Sequence, residues 1–578
     1  MGEPVTGETS AAFGGARAVK LTRRHLLMAG AMATLAGCNV LPGGRATLTV
    51  DRSVSTVSGL EAVFEDLSPG QTVYIEDTGS PYRTTQWLDV DVDGVTVLGP
   101  GIRRLIEPAD GANVGGIRIG NNAHCENVTV SGIGYNGNPG GQRKGAWRLH
   151  GIVVRDAENV TIEGNFVTKT HPYHRHNYGG SGISAERQCS NVRVANNRIT
   201  DIGDRGIQLA GEGITVVGNV VTDGFDRSIA CDAWSPDAQD YQARNVTITG
   251  NVLGNNEMGS LTGVAGGTTD QPDRGYIDVI GNVGFGPHKS LCHVGGEGET
   301  TTINVQGNVA VQNATNRIGG VVVDMERVRN VTVKGNHLVG YDGPGVNLEG
   351  DVADFLVANN SIESPGETGI RIAGARDGTV TDNQLTDVPI DGILLDGAQH
   401  VAVTGNRIEG AARSGIVVRN GAYANDDLAG NVVRDYNRSG TGAPAILIQD
   451  MGHTVRGNRV ATNGAPAIAE TLGAAENLYL ANRADGDSPW TVTSPTSIVK
   501  NHVPGFDVHR GLTDGDGDGV VRVRFAKPYV ERPKLEFGRV GGGIQGVEYV
   551  TDDGGFYVAA TLTIGTAGGT LDVFVEGV

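Results

Sequence analysis

An asparagine returns at the same place in a short β-rich phrase through most of this 578-residue chain. It stands in Glu163-Gly164-Asn165-Phe166-Val167, and again as Asn197, Asn219, Asn251, Asn282 and Asn308. The series continues with Asn336, Asn360, Asn383, Asn406, Asn431 and Asn458, at gaps of 22 to 32 residues. A period of this length means a stack of supersecondary units, each too small to bury an apolar face alone.

One unit, from Asn191 to Asn219, contains three runs: Asn191-Val192-Arg193-Val194, Asn197-Arg198-Ile199-Thr200 and Gly206-Ile207-Gln208-Leu209. Gly, Asp or Asn marks each corner. Runs this short become stable when every coil hydrogen-bonds to the coil below, about 4.8 Å away, in long parallel sheets. Val and Ile then face a shared core and the interleaved polar residues face out. The stacked asparagines should form an amide ladder at one corner. Helical repeats would need apolar positions three and four apart over ten or more residues, and none are visible. A propeller blade would need four hairpin-connected strands, which these Gly-broken runs cannot supply. The pattern predicts an all-β chain: a right-handed parallel β-helix of about 13–15 coils.

The ends read differently. Residues 1–37 read as an export signal, with Arg23 and Arg24 before a short apolar stretch ending Leu35-Ala36-Gly37-Cys38. This resembles a twin-arginine signal joined to a lipobox. The resemblance implies an exported protein, secreted or lipid-anchored at the cell surface through Cys38, with no other membrane contact. A linker follows over 38–50. Residues 51–110 read as an N-terminal cap and first coils, with Leu60, Val63, Phe64 and Leu67 on one helix face. The β-helix proper runs over 111–500. Over 501–578 the Asn period stops, and alternating runs such as Val520-Val521-Arg522-Val523-Arg524-Phe525 predict a small antiparallel β-sandwich. That tail resembles H-type lectin and fibre-head modules, which implies glycan binding or a homotrimer. Asp514, Asp516 and Asp518 imitate a calcium loop, but Phe525 stands where the closing Glu belongs, so a solvated turn is expected.

A net charge of −19 excludes nucleic acid as a partner. Cys125, Cys189, Cys231 and Cys292 lie in different coils without zinc-site spacing and read as buried hydrophobes.

Function should sit where the coils stop being regular. Long excursions occupy Gly134–Leu149, Lys169–Gly180, Asp232–Ala243 and Val264–Arg274. They bracket a strand beginning at Gly151, Gly182, Gly206, Ser228, Ser260 and Ser290. The residues before it form a column of His150, Ser181, Arg205, Arg227, Gly259 and Lys289. Arg205, Arg227 and Lys289 would make a cationic ledge, partly offset by Asp204 and Asp226 and completed by an anionic sugar chain. His288 and His293 flank the same strand. The excursions add His171, His174, Arg175, His176 and Tyr178, the rings of Trp147 and Trp234, and Asp232 and Asp237.

Coil pattern and cap together resemble the pectate-lyase-like β-helix superfamily, whose members include uronic-acid lyases, glycoside hydrolases, mannuronan C5-epimerases and tailspikes. Polygalacturonase signatures are absent, and Thr170-His171-Pro172-Tyr173-His174 only echoes the epimerase motif. The residue types suit β-elimination on an acidic polysaccharide. Arg205 and Arg227 would grip the carboxylate. His174, His176 or Lys289 would act as base and Tyr178 as acid. His150, Trp147, Trp234, Arg175, His288 and His293 would bind substrate. The resemblance admits calcium, held by Asp204, Asp226 or Asp232. Two alternatives stand: hydrolysis by two carboxylates among Asp204, Asp226, Asp232 and Asp237, and a non-catalytic glycan-binding adhesin.

Overall fold

The computed structural model describes residues 50–143, 149–170, 180–186, 188–231, 243–265, 275–300, 302–312, 318–421, 423–471, 473–485, 489–502, 506–538, 543–565 and 570–577. The expected signal segment and Cys38 lie outside them. Among the described residues no helix is long and apolar enough to cross a membrane.

Each coil gives one short strand to each of three parallel faces, called here front, side and back. In one coil these are Ile207–Leu209, Thr215–Val217 and Val220–Gly224. They pair in register with the next coil, Ile207 with Ile229, Thr215 with Thr247 and Val220 with Val252. Val321–Lys334 runs through a corner and serves both front and side faces. The back face has sixteen strands, from Tyr82–Thr84 to Arg483–Ala484. That exceeds the expected number because the first coils lack the Asn phrase and could not be counted by it. Inward Val and Ile from all three faces merge into one core, with Ile207, Val216 and Val221 fully buried in the coil above.

The amide ladder is continuous. Each Asn Nδ2 donates to the Oδ1 of the next Asn, as from Asn308 to Asn336 and from Asn336 to Asn360, both at 2.9 Å. It also donates to a carbonyl one coil back, as from Asn336 to Val305 at 2.8 Å. The peptide N–H of each Asn reaches the same Oδ1 of its neighbour. The residue before each Asn is left-handed, with φ of 64° at Gly164 and 54° at Asn196, which is why Gly, Asn or Asp precedes the ladder Asn so often. A thirteenth member, Asn482, follows Ala481 and so escaped the sequence pattern. The column ends on His502, whose Nδ1 accepts the Asn482 N–H at 3.0 Å beneath the stacked ring of Trp490. Burial pushes His502 down to about 4, so the imidazole stays a neutral acceptor.

The corner between front and side faces is less complete. Asp426 and His453 have no exposed side-chain surface, with Nδ1 and Oδ2 3.4 Å apart. Asp426 Oδ1 accepts the Val401 N–H at 2.8 Å. Oδ2 and both His453 ring nitrogens find no hydrogen-bond partner among the described residues. Burial lifts Asp426 from 3.8 to about 7 and lowers His453 from 6.5 to about 4. An acid whose folded value is raised loses stability as pH climbs from its unfolded value to its folded one, here from about 4 to about 7. The depressed His453 loses stability in the opposite direction, as pH falls from 6.5 towards 4. Asp426→Asn keeps the acceptor for Val401 and offers an amide N–H to His453. It should stabilise the fold by on the order of 2–4 kcal/mol at pH 8. Thermal unfolding against pH checks this: the gain over the parent should fade as pH drops to 4.

The helix Val57–Glu65 forms where expected, capped by the Thr56 hydroxyl accepting the Gly59 N–H and burying Leu60 and Phe64 over the first coils. At the other end, two three-stranded antiparallel sheets pack face to face around Val521, Val523, Leu562 and Val573. Lys527 of this sandwich is buried against the last coil and donates to the carbonyls of Pro495, at 3.4 Å, and Ser497. Burial lowers its pKa to about 8. The four cysteines are buried, as expected.

Candidate active site

On the front face the outward side chains form one vertical column. In register from the N-terminal end it runs Asp89, Arg118, Val153, Ser184, Gln208, Ala230, Gly263, His293 and Val322. Ser184, Ala230 and Gly263 are small, so the floor is low before His293. Two of the long excursions follow back-face strands ending at Asn136 and Thr168 and precede the front strand in sequence, and two follow front strands ending at Cys231 and Ala265.

Arg205 and Arg227 are level on adjacent coils, their backbones joined through Gly206 N–H to Arg227 O at 2.9 Å. Their side chains diverge. Arg205 is buried, with Nε 3.4 Å from Asp226 Oδ2, a corner ion pair rather than a groove cation. Arg227 is half-buried and lies across Gly263 of the next coil. A Cβ on Gly263 would stand 2.5 Å from both Cδ and Nε of Arg227. Gly263 is therefore the gap through which Arg227 reaches the front face, one rung from His293.

His293 is a quarter exposed, and its Nε2 sits 3.0 and 3.2 Å from the two carboxylate oxygens of Asp324. A carboxylate only accepts, so Nε2 donates to Asp324, and in the neutral ring the lone pair lies on Nδ1. Gly295 makes the pair fit. A Cβ there would collide with Asp324 Oδ1 and stand 2.7 Å from His293 Nε2. Gly295→Ala should separate the pair. A crystal structure of the variant, beside an unchanged far-ultraviolet circular dichroism spectrum, would show it.

The three-cation ledge does not exist as expected. Thr262 pairs with Ile229 and Cys292 pairs with Thr262, one residue later than the aliphatic pattern suggested. Leu261 and Leu291 fill the corner position that is glycine in earlier coils, with Leu261 tucked against Gly284. Lys289 is thereby level with Gly259 and the aspartate position, half-buried, outside the arginine column. His150 is buried too, with Nδ1 accepting the Ser181 N–H at 2.9 Å and Nε2 3.5 Å from Glu186. His288 is 1 % exposed. Its Nδ1 donates to Gly286 O at 2.8 Å and its Nε2 accepts from Tyr341 Oη at 3.0 Å. Burial lowers its pKa to about 4. Both histidines brace corners and present little surface.

Of the acids expected to hold calcium, Asp226 pairs with Arg205 and Asp232 lies outside the described residues. Among the described residues the only three carboxylates close enough to share an ion are Asp514, Asp516 and Asp518 in the sandwich turn. Asp514 already accepts the Gly517 and Gly519 N–H groups, as a solvated turn requires. Trp147, His171, His174, Arg175, His176, Tyr178, Asp232, Trp234 and Asp237 lie outside the described residues.

Asp324, Gly263 and Gly295 were missed in the sequence. Pairing Cys292 with Val321 would have exposed Asp324 and Gly295 together, since Gly295 then faces Asp324.

The right handed beta helix region, a known family, matches residues 109–282 and 319–484, more than half of the sequence. The chain belongs to this family. No curated protein sequence matches the chain. Among solved structures this β-helix is similar to PfbA, a surface adhesin of Streptococcus pneumoniae, at 13 % identity. The match covers 63 % of this chain and 88 % of that one, with a TM-score of 0.43. It is also similar to the Azotobacter vinelandii mannuronan C-5 epimerase AlgE4 A-module, at 15 % identity over 78 % and 100 % of the two chains, TM-score 0.25. An alginate lyase from Paenibacillus sp. str. FPU-7 matches at 13 % identity over 58 % and 95 %, TM-score 0.30. These likenesses concern the β-helix fold.

Proposed function

We propose that this β-helix cleaves a uronic-acid polysaccharide by β-elimination on the front face. The observation that carries the reading is the Asp324-held His293 one rung from the Gly263 gap that Arg227 fills. Arg227 neutralises the uronate carboxylate and so acidifies the proton at C5. His293 Nδ1 takes that proton, and Asp324 stabilises the imidazolium. The C4–O4 bond then breaks with its electron pair leaving on O4, a C4=C5 double bond forms, and O4 is protonated. Tyr178 is the proposed acid. His174 and His176 belong to the same excursion and take the supporting places, with Arg175, Trp147 and Trp234 along the sugar chain.

The hydrolytic alternative needs two carboxylates flanking one glycosidic bond. Asp226 is committed to Arg205 and Asp324 to His293, which favours elimination. Incubation with alginate, pectate, hyaluronan and chondroitin tests the reading. Ultraviolet absorbance from unsaturated uronate ends supports elimination. New reducing ends without that absorbance would mean hydrolysis, and retention of a glycan without cleavage would mean an adhesin.

A further inference from the structure

At the N-terminal end of the front face the described residues enclose a cleft of about 580 Å³, between the cap helix and the strands Leu88–Val90 and Ile117–Ile119. None of its residues belongs to the proposed reaction. Its polar groups are fixed in place. The Arg118 guanidinium lies 4.8 Å from the Trp87 ring and donates to both Asp89 oxygens at 2.7 and 2.8 Å. Asp91 Oδ1 accepts the Asn121 and Asn122 N–H groups, and its Oδ2 accepts Asn122 Nδ2 at 2.7 Å. At the rim Glu65 accepts from Gln86 at 2.7 Å. Leu67, Val92 and Val114 supply an apolar wall beside them.

Carboxylates and amides that exchange hydrogen bonds with hydroxyls, next to an apolar wall for C–H faces, are the chemistry of a pyranose site. The charge balance narrows the ligand. Glu65, Asp89 and Asp91 face a single cation, Arg118, which is already paired with Asp89. A polyanion entering here would meet uncompensated carboxylates, a repulsive element that excludes it. We propose that this cleft is a glycan-binding subsite for a neutral, hydroxyl-rich sugar. It stands apart from the uronate centre, because Asp89 is seven rungs from His293 along one column, about 34 Å. The inference rests on the cap and not on the reading of His293 as a base.

Isothermal titration of the full chain with neutral manno-, gluco- and galacto-oligosaccharides, and with oligouronates, tests it. Binding of at least one neutral series is expected. It should weaken tenfold or more in Trp87→Ala and in the rim variant Glu65→Lys, and stay unchanged in His293→Ala. Glu65 is exposed, so its replacement keeps the test valid if Trp87→Ala fails to fold. Absence of neutral-sugar binding, binding indifferent to both substitutions, or preference of this cleft for oligouronates would each overturn the proposal.

Discussion

His293→Ala should lower turnover of the uronate polymer by about 10²–10⁴-fold, the range for loss of a general base, while the unfolding transition stays where it is. The side chain stands on the surface of the front face and is a quarter exposed. Removing it leaves the inward neighbours Cys292 and Val294 buried as before. Asp324→Asn separates roles. It leaves an oxygen to accept from Nε2 but removes the charge that stabilises the imidazolium, so kcat should fall with KM little changed. Arg227→Ala should reduce kcat/KM through both terms, because in the proposed elimination the guanidinium acts on the bound carboxylate and on the charge that develops beside it. Arg227→Lys should recover only part, since a point charge replaces a planar fork. A fully active His293→Ala enzyme would remove the front-face centre from the mechanism.

Asn336→Ala should destabilise the fold by roughly 3 kcal/mol or more. It strips partners from three buried groups at once: the N–H and Nδ2 of Asn308 and the carbonyl of Val305. Each orphaned buried group costs about 1–3 kcal/mol. Asn336 is 1 % exposed and its neighbours 0 and 1 %, so water does not take the vacated place cheaply. Thermal unfolding reads the loss, and hydrogen exchange should localise it to the coils around Asn308 and Asn360. A drop no larger than that of a surface Asn→Ala substitution would show that the ladder is incidental to stability.

The architecture was legible because one residue type marks one corner in nearly every coil. Asn ladder, short strands and Gly or Asp corners all point to the same stack. The site was only half legible. Arg205 and Arg227 do lie level, but adjacency of backbones says nothing about where long side chains go. Arg205 turns to Asp226, while Arg227 reaches forward because Gly263 leaves room. Lys289 was misplaced because the aliphatic Leu261 and Leu291 imitate the first inward residue, which is Thr262 or Cys292. His150 and His288 looked accessible since corner residues in a sequence carry no sign of depth. Asp324 went unnoticed because it follows three valines in an otherwise regular coil, and only cross-strand pairing links it to His293.

The ladder also acts as a ruler. Between Asn360, Asn383 and Asn406 the step is a constant 23 residues, and each Asn makes the same bonds as the next. Gaining or losing one such rung restores every contact it interrupts and shifts the carboxy-terminal sandwich along the axis by about 4.8 Å. The distance between the front-face His293–Asp324 pair and the terminal module can therefore lengthen or shorten in whole steps, leaving the coils before it untouched.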